Sequence, residues 1–389
     1  MAEFPINPIP YQGGSLEWEH NKLDMIRLNS NRIIYAFSQS DPSYKFYGIA
    51  DVDDFLATSP SVNIVKQRAF TGSFSNMRLQ KLDNDRFMAY DGADLYVYNV
   101  STDDVIEELK VTDWSTDFFQ GNPVEWSWST NVGTNKVVEV STVLDVPGTN
   151  PQYKMVVRTL TYDTGTASFT VSTPKTIISG IRGSSSSVYA VNIKMIAGSS
   201  TKVLINVHRA GGDPIDSATA YNLDAISVYD LNTDTIDVIS PANLSDYGNA
   251  VGFGENAIVA FSHSTTDAIE YDGSVWSSPF QYAGDSDTHR LHECVTFSPS
   301  YAMMLFKPEI GEFTEQDNYF RIVNRQGPQT IVTSFPTNTR DGLLVQFPTD
   351  VRPWFSRDRI DVFDPETVLI PCYNEDEADK QFVFIRIKP

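Results

Sequence analysis

The most unusual group of side chains in this sequence lies in the segment VRPWFSRDR, residues 351–359. It brings Arg352, Trp354, Arg357 and Arg359 together in a chain with only 29 basic residues against 50 acidic ones. Arginine and tryptophan are enriched at binding hot spots, because both offer a large contact area and arginine adds a planar fork of donors. We therefore predict that these four residues bind a partner. The alternative is that the tryptophan packs beneath a loop while the arginines pair with neighbouring acids.

Catalytic motifs are missing from the sequence. It contains no GxSxG, HExxH or P-loop pattern, and no GxGxxG fingerprint after a strand. His289 and His292 could suggest a metal site, but residues three apart on a strand point to opposite faces and do not easily share one ion. The sequence therefore predicts no catalytic residue, no metal and no cofactor.

Carboxylates in loops offer a second kind of chemistry. Glycoside hydrolysis needs two of them on either side of the scissile bond, and the candidates are Asp213, Asp216, Asp285, Asp287 and the run at 375–379. None of these clusters has the DxDxDG spacing of a calcium loop. Because acidic residues are so numerous here, we interpret the clusters as solvated surface.

The segment YDGSVW, residues 271–276, has the pattern of a tight hairpin turn. It is similar to the Asp-box of sialidase-type propellers, but its spacing is one residue short and the leading Ser or Thr is missing. A tight turn with glycine in the left-handed conformation explains the pattern without any function.

The elements that must carry these residues are strands. A short strand, a tight polar turn and a strongly apolar strand recur seven times, and a second hairpin follows in most cases. The apolar strands begin near Arg32, Arg86, Lys136, Lys202, Ala257, Tyr301 and Thr367, at intervals of roughly 44 to 66 residues. Four antiparallel strands per unit predict an all-β fold, a seven-bladed β-propeller.

The seventh unit lacks a fourth strand, because the chain ends after QFVFIRIK at 381–388. We predict that the N-terminal segment 3–12 supplies that outer strand and closes the ring, since its prolines suit an edge. Residues 1–389 would then form a single domain. The alternative is two sandwich domains, but the sequence shows no linker or shift in composition.

The long connections would share one face of such a ring. They are the segments 112–124, 173–187, 209–222, 307–318 and 336–358, and most connections on the opposite face are tight turns. Function tends to lie on loops that a rigid scaffold holds, so we predict that the long-loop face contacts the partner.

Charge and composition limit the partner. The net charge of −21 disfavours nucleic acid and anionic membranes. The start of the chain, MAEFPINPIPYQGG, has no signal-peptide pattern, and no apolar stretch is long enough to span a bilayer, so we predict no membrane insertion. Two cysteines, Cys294 and Cys372, do not make a disulfide scaffold.

The four-stranded unit and the offset closing strand resemble the β-propeller superfamily, although the WD dipeptide and the Kelch glycine pairs are missing. The Tyr, Asn, Asp and Ser content, the YDG hairpins and the acidic charge resemble propeller proteins in the virions of tailed bacteriophages. This resemblance implies a non-enzymatic structural or interaction protein, in a virion or the cytoplasm, that docks to other protein subunits or to a host surface. The alternative is a propeller that binds or cleaves a surface glycan.

Overall fold

The structure is a computed structural model, and it describes part of the chain. The described residues are 2–3, 9–10, 23–39, 44–55, 61–71, 77–91, 94–114, 127–147, 152–182, 189–209, 225–240, 249–254, 257–262, 267–281, 289–296, 298–308, 319–325, 331–333, 345–346, 351–353, 361–364, 367–374 and 381–387. These residues form strands, turns and bends, and within them there is no helix that could cross a lipid bilayer.

The chain begins with two short strands and then forms three sheets. The short strands are β1 (Ala2–Glu3) and β2 (Ile9–Pro10). Sheet 1 contains β3 (Leu23–Arg27), β4 (Arg32–Gln39), β5 (Tyr44–Val52) and β6 (Val62–Thr71). Sheet 2 contains β7 (Met77–Lys81), β8 (Arg86–Asp91), β9 (Asp94–Asn99) and β10 (Ile106–Val111). Sheet 3 contains β11 (Ser127–Gly133), β12 (Lys136–Val146), β13 (Gln152–Asp163), β14 (Ser168–Val171) and β15 (Lys175–Arg182).

Four more sheets follow in the second half of the chain. Sheet 4 contains β16 (Tyr189–Met195), β17 (Lys202–Arg209), β18 (Ala225–Asp230) and β19 (Thr235–Val238). Sheet 5 contains β20 (Asn249–Gly252), β21 (Ile258–Phe261), β22 (Asp267–Tyr271) and β23 (Phe280–Gln281). Sheet 6 contains β24 (His289–Thr296), β25 (Tyr301–Pro308), β26 (Tyr319–Arg325), β27 (Ile331–Thr333) and β28 (Val345–Gln346). Sheet 7 contains β29 (Val351–Pro353), β30 (Asp361–Asp364), β31 (Thr367–Asn374) and β32 (Gln381–Ile387), together with β1 and β2.

The strand order confirms the predicted unit. In sheets 1 to 6, four antiparallel strands pair in the order in which they follow one another along the chain. Such meandering four-stranded sheets are the construction of propeller blades. The described part is therefore all-β and built of propeller-type blades.

Two segments predicted as loops contain strands. Within 173–187, β15 pairs with the first half of β13, because β14 covers only the last four residues of that strand. Its Ile177 is 8 % exposed, so the segment buries an apolar side chain instead of crossing the surface. Within 336–358, β28 pairs with β26 and β29 pairs with β31. In both places an open strand edge takes up a partner, which satisfies backbone groups that a loop would leave to water.

The N-terminal segment pairs with β32, the last strand of the chain. Ala2 and Glu3 lie opposite Ile387 and Arg386, and the strand β2 lies opposite Gln381 and Phe382. The predicted pairing of residues 3–12 with 381–388 is therefore present wherever the structure describes both segments.

The chain divides into two compact units. One comprises Pro5–Ser184 with Gln381–Val383, and the other comprises Met1–Phe4, Ser185–Lys380 and Phe384–Pro389. In the first of these, one apolar cluster joins sheets 1 and 2 and another joins sheets 2 and 3. Along β8, Phe87 and Ala89 face sheet 1 while Met88 and Tyr90 face sheet 3. Successive side chains of β8 point to opposite faces of the sheet, and both faces are buried. The apolar run in the sequence of this strand is therefore unbroken.

The other unit repeats the same packing. Sheet 5 lies between sheets 4 and 6, with an apolar cluster on each side. Along β21, Ile258 and Ala260 pack against sheet 4, while Val259 and Phe261 pack against sheet 6. A sheet of a two-layer sandwich buries one face only, so this arrangement corresponds to stacked blades.

Polar side chains set the turns of the recurring hairpins. In four sheets, an Asn, Asp or Ser lies three residues before the apolar strand and accepts hydrogen bonds from the backbone of the turn. These bonds are Arg32 N to Asn29 Oδ1 (2.9 Å), Asp85 N to Asp83 Oδ1 (2.8 Å), Lys202 N to Ser199 Oγ (3.2 Å) and Tyr301 N to Ser298 Oγ (3.0 Å). The repeat in the sequence is therefore a repeat of one capped turn.

A serine closes the outer hairpin in three sheets. Ser172, Ser240 and Ser277 each accept a hydrogen bond from a backbone N–H of the neighbouring third strand, at 2.9 to 3.0 Å. We expect Ser172→Ala to lower the free energy of unfolding by about 1–2 kcal/mol, because the buried N–H of Thr159 loses its acceptor. Urea denaturation measures the change. The exposed Ser278→Ala variant is the control and should unfold like the unaltered protein.

Candidate interaction surface

Sheet 3 has the longest second and third strands in the part of the chain that the structure describes. β12 has 11 residues and β13 has 12. The described pairing of β11 with β12 stops at Ser127 opposite Ser141, whereas β12 and β13 continue together to Val146 opposite Gln152. We call this continuation, residues 142–146 and 152–156, the ribbon. It ends in a connection on the predicted long-loop face.

The tip of the ribbon exposes apolar side chains. Leu144 is 40 % exposed and Val146 is 46 % exposed. Leu144 lies opposite Tyr153, and the backbone of Tyr153 lies opposite that of Ile181 on β15, so the three positions form one row across three strands. Asp145 and Lys154 form a salt bridge of 2.9 Å beside this row. The surface therefore combines exposed apolar area with a polar border, as protein interfaces do.

The base of the ribbon is fixed to sheet 2. Glu139 is fully buried, and one of its carboxylate oxygens accepts a hydrogen bond from Arg158 at 2.8 Å. The other accepts a hydrogen bond from the hydroxyl of Tyr90 at 2.9 Å. The guanidinium carbon of Arg158 lies 4.9 Å from the centre of the Trp114 ring. A buried charge pair held from both sheets leaves little freedom at the point where the ribbon begins.

A charged group lies between sheets 1 and 2 at the end where the sequence predicts the long-loop face. Lys45 of sheet 1 forms a salt bridge with Asp91 of sheet 2, and Lys110 forms one with Asp94 at 2.9 Å. The two ammonium groups lie 4.9 and 5.2 Å from the centre of the Tyr96 ring. Burial raises the pKa of Asp91, and the pair with Lys45 opposes that shift. The salt bridge between Lys45 and Asp91 joins the two sheets, whereas Lys110 and Asp94 pair within sheet 2.

Two arginines form ion pairs at the tight-turn end, and those of Arg32 also join two sheets. Arg32 of sheet 1 contacts Asp51 of its own sheet and Asp103 of sheet 2, both at 2.7 Å. Arg86 contacts Glu108 at 2.8 Å. Burial opposes ionisation of Glu108, but hydrogen bonds from Arg86 and from neighbouring polar side chains outweigh it, so the pKa of Glu108 is lowered. The sequence marked both arginines as starts of apolar strands, but their partners lie too far along the chain to be recognised.

The structure describes one of the four residues predicted to bind a partner. Arg352 lies on β29, where its backbone is opposite Tyr373 of β31. Trp354, Arg357 and Arg359 lie outside the described residues. Whether the four side chains form one surface stays a prediction.

The remaining candidate residues divide in the same way. The carboxylates Asp213, Asp216, Asp285 and Asp287 and the run 375–379 lie outside the described residues. His289 and His292 belong to β24, which has an irregular register between Leu291 and Glu293.

The hairpin that is similar to an Asp-box folds as a capped turn. Asp272 accepts hydrogen bonds from the backbone of Ser274 and Val275 at 2.9 and 3.0 Å, and Gly273 has a φ of +98°. Hydrogen bonds from the backbone of Val275 and from the side chain and backbone of Ser274 lower the pKa of Asp272. Trp276 donates from Nε1 to the carbonyl oxygen of Ile239 at 2.5 Å. The motif therefore stabilises its own turn and ties sheet 5 to sheet 4.

The ribbon was not predicted from the sequence. The predicted apolar strand that begins near Lys136 continues in the structure to Val146, and β13 begins at Gln152. The available signal was the apolar content of Val143, Leu144 and Val146 directly before the turn sequence PGTN. Those residues continue β12 and make the hairpin longer than a blade requires.

No protein-family model and no curated protein matches the sequence. Among solved structures, the chain is similar to the WD40 repeats of RRP9, with 9 % identity and a TM-score of 0.49 over 99 % of each chain. It is similar to YCF48 bound to D1 peptide, with 8 % identity and a TM-score of 0.49 over 99 % of this chain and 96 % of that one. It is also similar to U3-55K, with 9 % identity and a TM-score of 0.48 over 94 % and 98 % of the two chains. The blade assignment rests on the strand pairings of the chain itself.

Proposed function

We propose that this chain is a non-enzymatic interaction scaffold. In this proposal, residues 1–389 form one domain, a closed ring of seven blades in which the N-terminal segment provides the outer strand of the last blade. The pairing of β1 and β2 with β32 supports closure, because it joins the two ends of the chain. A closed ring leaves no exposed sheet edge between its first and last blades and offers a rigid support for binding.

The ribbon is the observation that carries the interaction role. Leu144 and Val146 are exposed at the end of an ordered hairpin whose base is fixed by the buried pair of Glu139 and Arg158. Exposed apolar side chains on a rigid projection cost little entropy to bind, and their burial by another protein is favourable. The proposed partner is therefore another protein subunit.

The assembly that we propose is the virion of a tailed bacteriophage, where the chain docks to other subunits or to a host surface. The acidic charge and the Tyr, Asn, Asp and Ser content support this choice. The cluster of Arg352, Trp354, Arg357 and Arg359 is a second proposed contact, because its basic and aromatic side chains contrast with the acidic chain.

The double variant Leu144→Ser and Val146→Ser tests the role of the ribbon. We expect the variant to lose about tenfold in cosedimentation with the native assembly, because apolar area leaves the interface. The matched controls are Val238→Ser and Val275→Ser, which replace aliphatic side chains that are 53 % and 62 % exposed elsewhere. They should cosediment like the unaltered chain.

Cross-linking mass spectrometry of the native assembly gives a second readout. Lys154 lies beside the exposed row and should form cross-links to another subunit. A chain that stays monomeric in extracts of its source and cleaves glycans would contradict the proposal.

A further inference from the structure

Sheet 1 presents an unusually long outer edge. β6 has 10 residues and pairs with β5 from Tyr44 opposite Thr71 to Val52 opposite Val62. No other described strand pairs with it, so its outward edge carries backbone donors and acceptors without a strand partner in that part of the chain. The outer strands β10, β14, β15, β19, β23 and β27 have between two and eight residues. At about 3.3 Å per residue, β6 offers an edge of about 30 Å.

The charge of β6 is opposite to that of the chain. Its sequence VNIVKQRAFT contains Lys66 and Arg68 and no acid, while the whole chain has a net charge of −21. Both basic side chains are exposed, and because they are two residues apart they lie on the same face of the sheet. Within the described residues neither forms an ion pair with a carboxylate. Arg68 instead donates to the carbonyl oxygen of Val105 at 2.6 Å and lies 5.2 Å from the Phe70 ring.

The other outer strands carry different charged residues. On β10, Lys110 is paired with Asp94, and Glu107 and Glu108 are acidic. On β19 the charged residue is Asp237. β15 also carries two cations, but Lys175 and Arg182 lie at opposite ends of that strand. Two neighbouring cations on one face are therefore a property of β6 among these outer strands.

We propose that β6 binds an acidic, extended segment of a partner protein by strand addition. The backbone of the segment pairs with the open edge of β6, and its carboxylates contact Lys66 and Arg68. Main-chain hydrogen bonds supply affinity in this mode of recognition, and the alternating side chains supply specificity. Opposite charges also steer the encounter and select against basic segments.

This surface is separate from the ribbon, so the two proposals can fail independently. Loss of binding at β6 would leave cosedimentation through Leu144 and Val146 unchanged. Loss of the ribbon contact would leave peptide binding at β6 unchanged.

A labelled decapeptide of alternating glutamate and valine is the probe, and fluorescence anisotropy with the full chain is the measurement. We expect saturable binding that weakens as the salt concentration rises, because exposed charges are screened. Hydrogen exchange should show protection of β6 amides when the peptide is bound. A decapeptide that carries lysine in place of glutamate should not bind.

Charge-reversal variants test whether Lys66 and Arg68 contact the acidic peptide. Lys66→Glu with Arg68→Glu should weaken binding by at least about tenfold. Lys66→Glu alone should weaken it measurably, and this variant keeps the hydrogen bond from Arg68 to Val105 and therefore the native edge. The control is Lys136→Glu with Lys202→Glu, which makes the same change of charge at the starts of β12 and β17 and should bind like the unaltered protein.

Three results would overturn the proposal. One is unchanged binding by the charge-reversed β6 variants. Another is no binding at all, which would assign Lys66 and Arg68 to protection of the edge against aggregation. The third is protection of β6 amides without peptide that depends on protein concentration, which would identify a second copy of this chain as the occupant.

Discussion

Replacing Gly48 by alanine is expected to lower the free energy of unfolding by about 3 kcal/mol. A Cβ atom at this position would lie 2.0 Å from Cζ of Tyr35 and 2.4 Å from its hydroxyl oxygen. The two residues are directly opposite in the register of β4 and β5, and Tyr35 is 2 % exposed. Burial raises the pKa of Tyr35 to about 12, which reflects how completely the ring is enclosed. The ring lies over the glycine and has little space into which it could move.

Urea denaturation followed by tryptophan fluorescence measures this loss, and a second substitution tests its cause. Tyr35→Val removes the ring, so the double variant with Gly48→Ala should be less destabilised than the sum of the two single variants. Gly165→Ala is the control, because it lies in an exposed turn and its nearest atom is the end of the Asp163 side chain. It should change stability by no more than about 0.5 kcal/mol. Additive effects of Tyr35→Val and Gly48→Ala would contradict the steric explanation.

The sequence was sufficient to predict most strands and their order in the described sheets. The reason is visible in β8 and β21, where both faces are buried and the apolar run is continuous. Turns such as the one from Asn29 to Arg32 were also predictable, because their capping side chains act on their own backbone. Local signals thus account for the hairpins.

Contacts between sheets could not be predicted in the same way. Tyr90 and Glu139 are 49 residues apart in the sequence, and Asn192 donates to the carbonyl oxygen of Cys294 at 3.0 Å across 102 residues. Neither pair has a spacing along the sequence from which a contact could be predicted. The strand β15 was missed for a different reason, because its flanking Pro, Gly and Ser residues are typical of loops while its pairing is decided by the short β14.

Replacing Arg158 by methionine is expected to lower the free energy of unfolding by about 3–5 kcal/mol. Glu139 has no exposed surface, and the substitution removes the cation beside it. Its carboxylate then keeps the hydrogen bond from the hydroxyl of Tyr90 but has no counter-charge from Arg158. An ionised carboxylate without a counter-charge is costly to bury, and methionine fills most of the volume beside Trp114, so the loss reports charge more than packing. Denaturation in urea is again the measurement.

A second substitution separates the charge from the side-chain volume. Glu139→Gln combined with Arg158→Met removes both charges, and the glutamine oxygen can still accept the hydrogen bond from Tyr90. The double variant should therefore recover most of the stability that Arg158→Met loses, as expected when a buried ion pair is replaced by neutral groups. Tyr90→Phe removes one hydrogen bond and should cost about 1 kcal/mol. If the double variant were as unstable as Arg158→Met alone, the buried charge of Glu139 would not be what Arg158 compensates, and the rigid base that we assign to the ribbon would depend on packing against Trp114 instead.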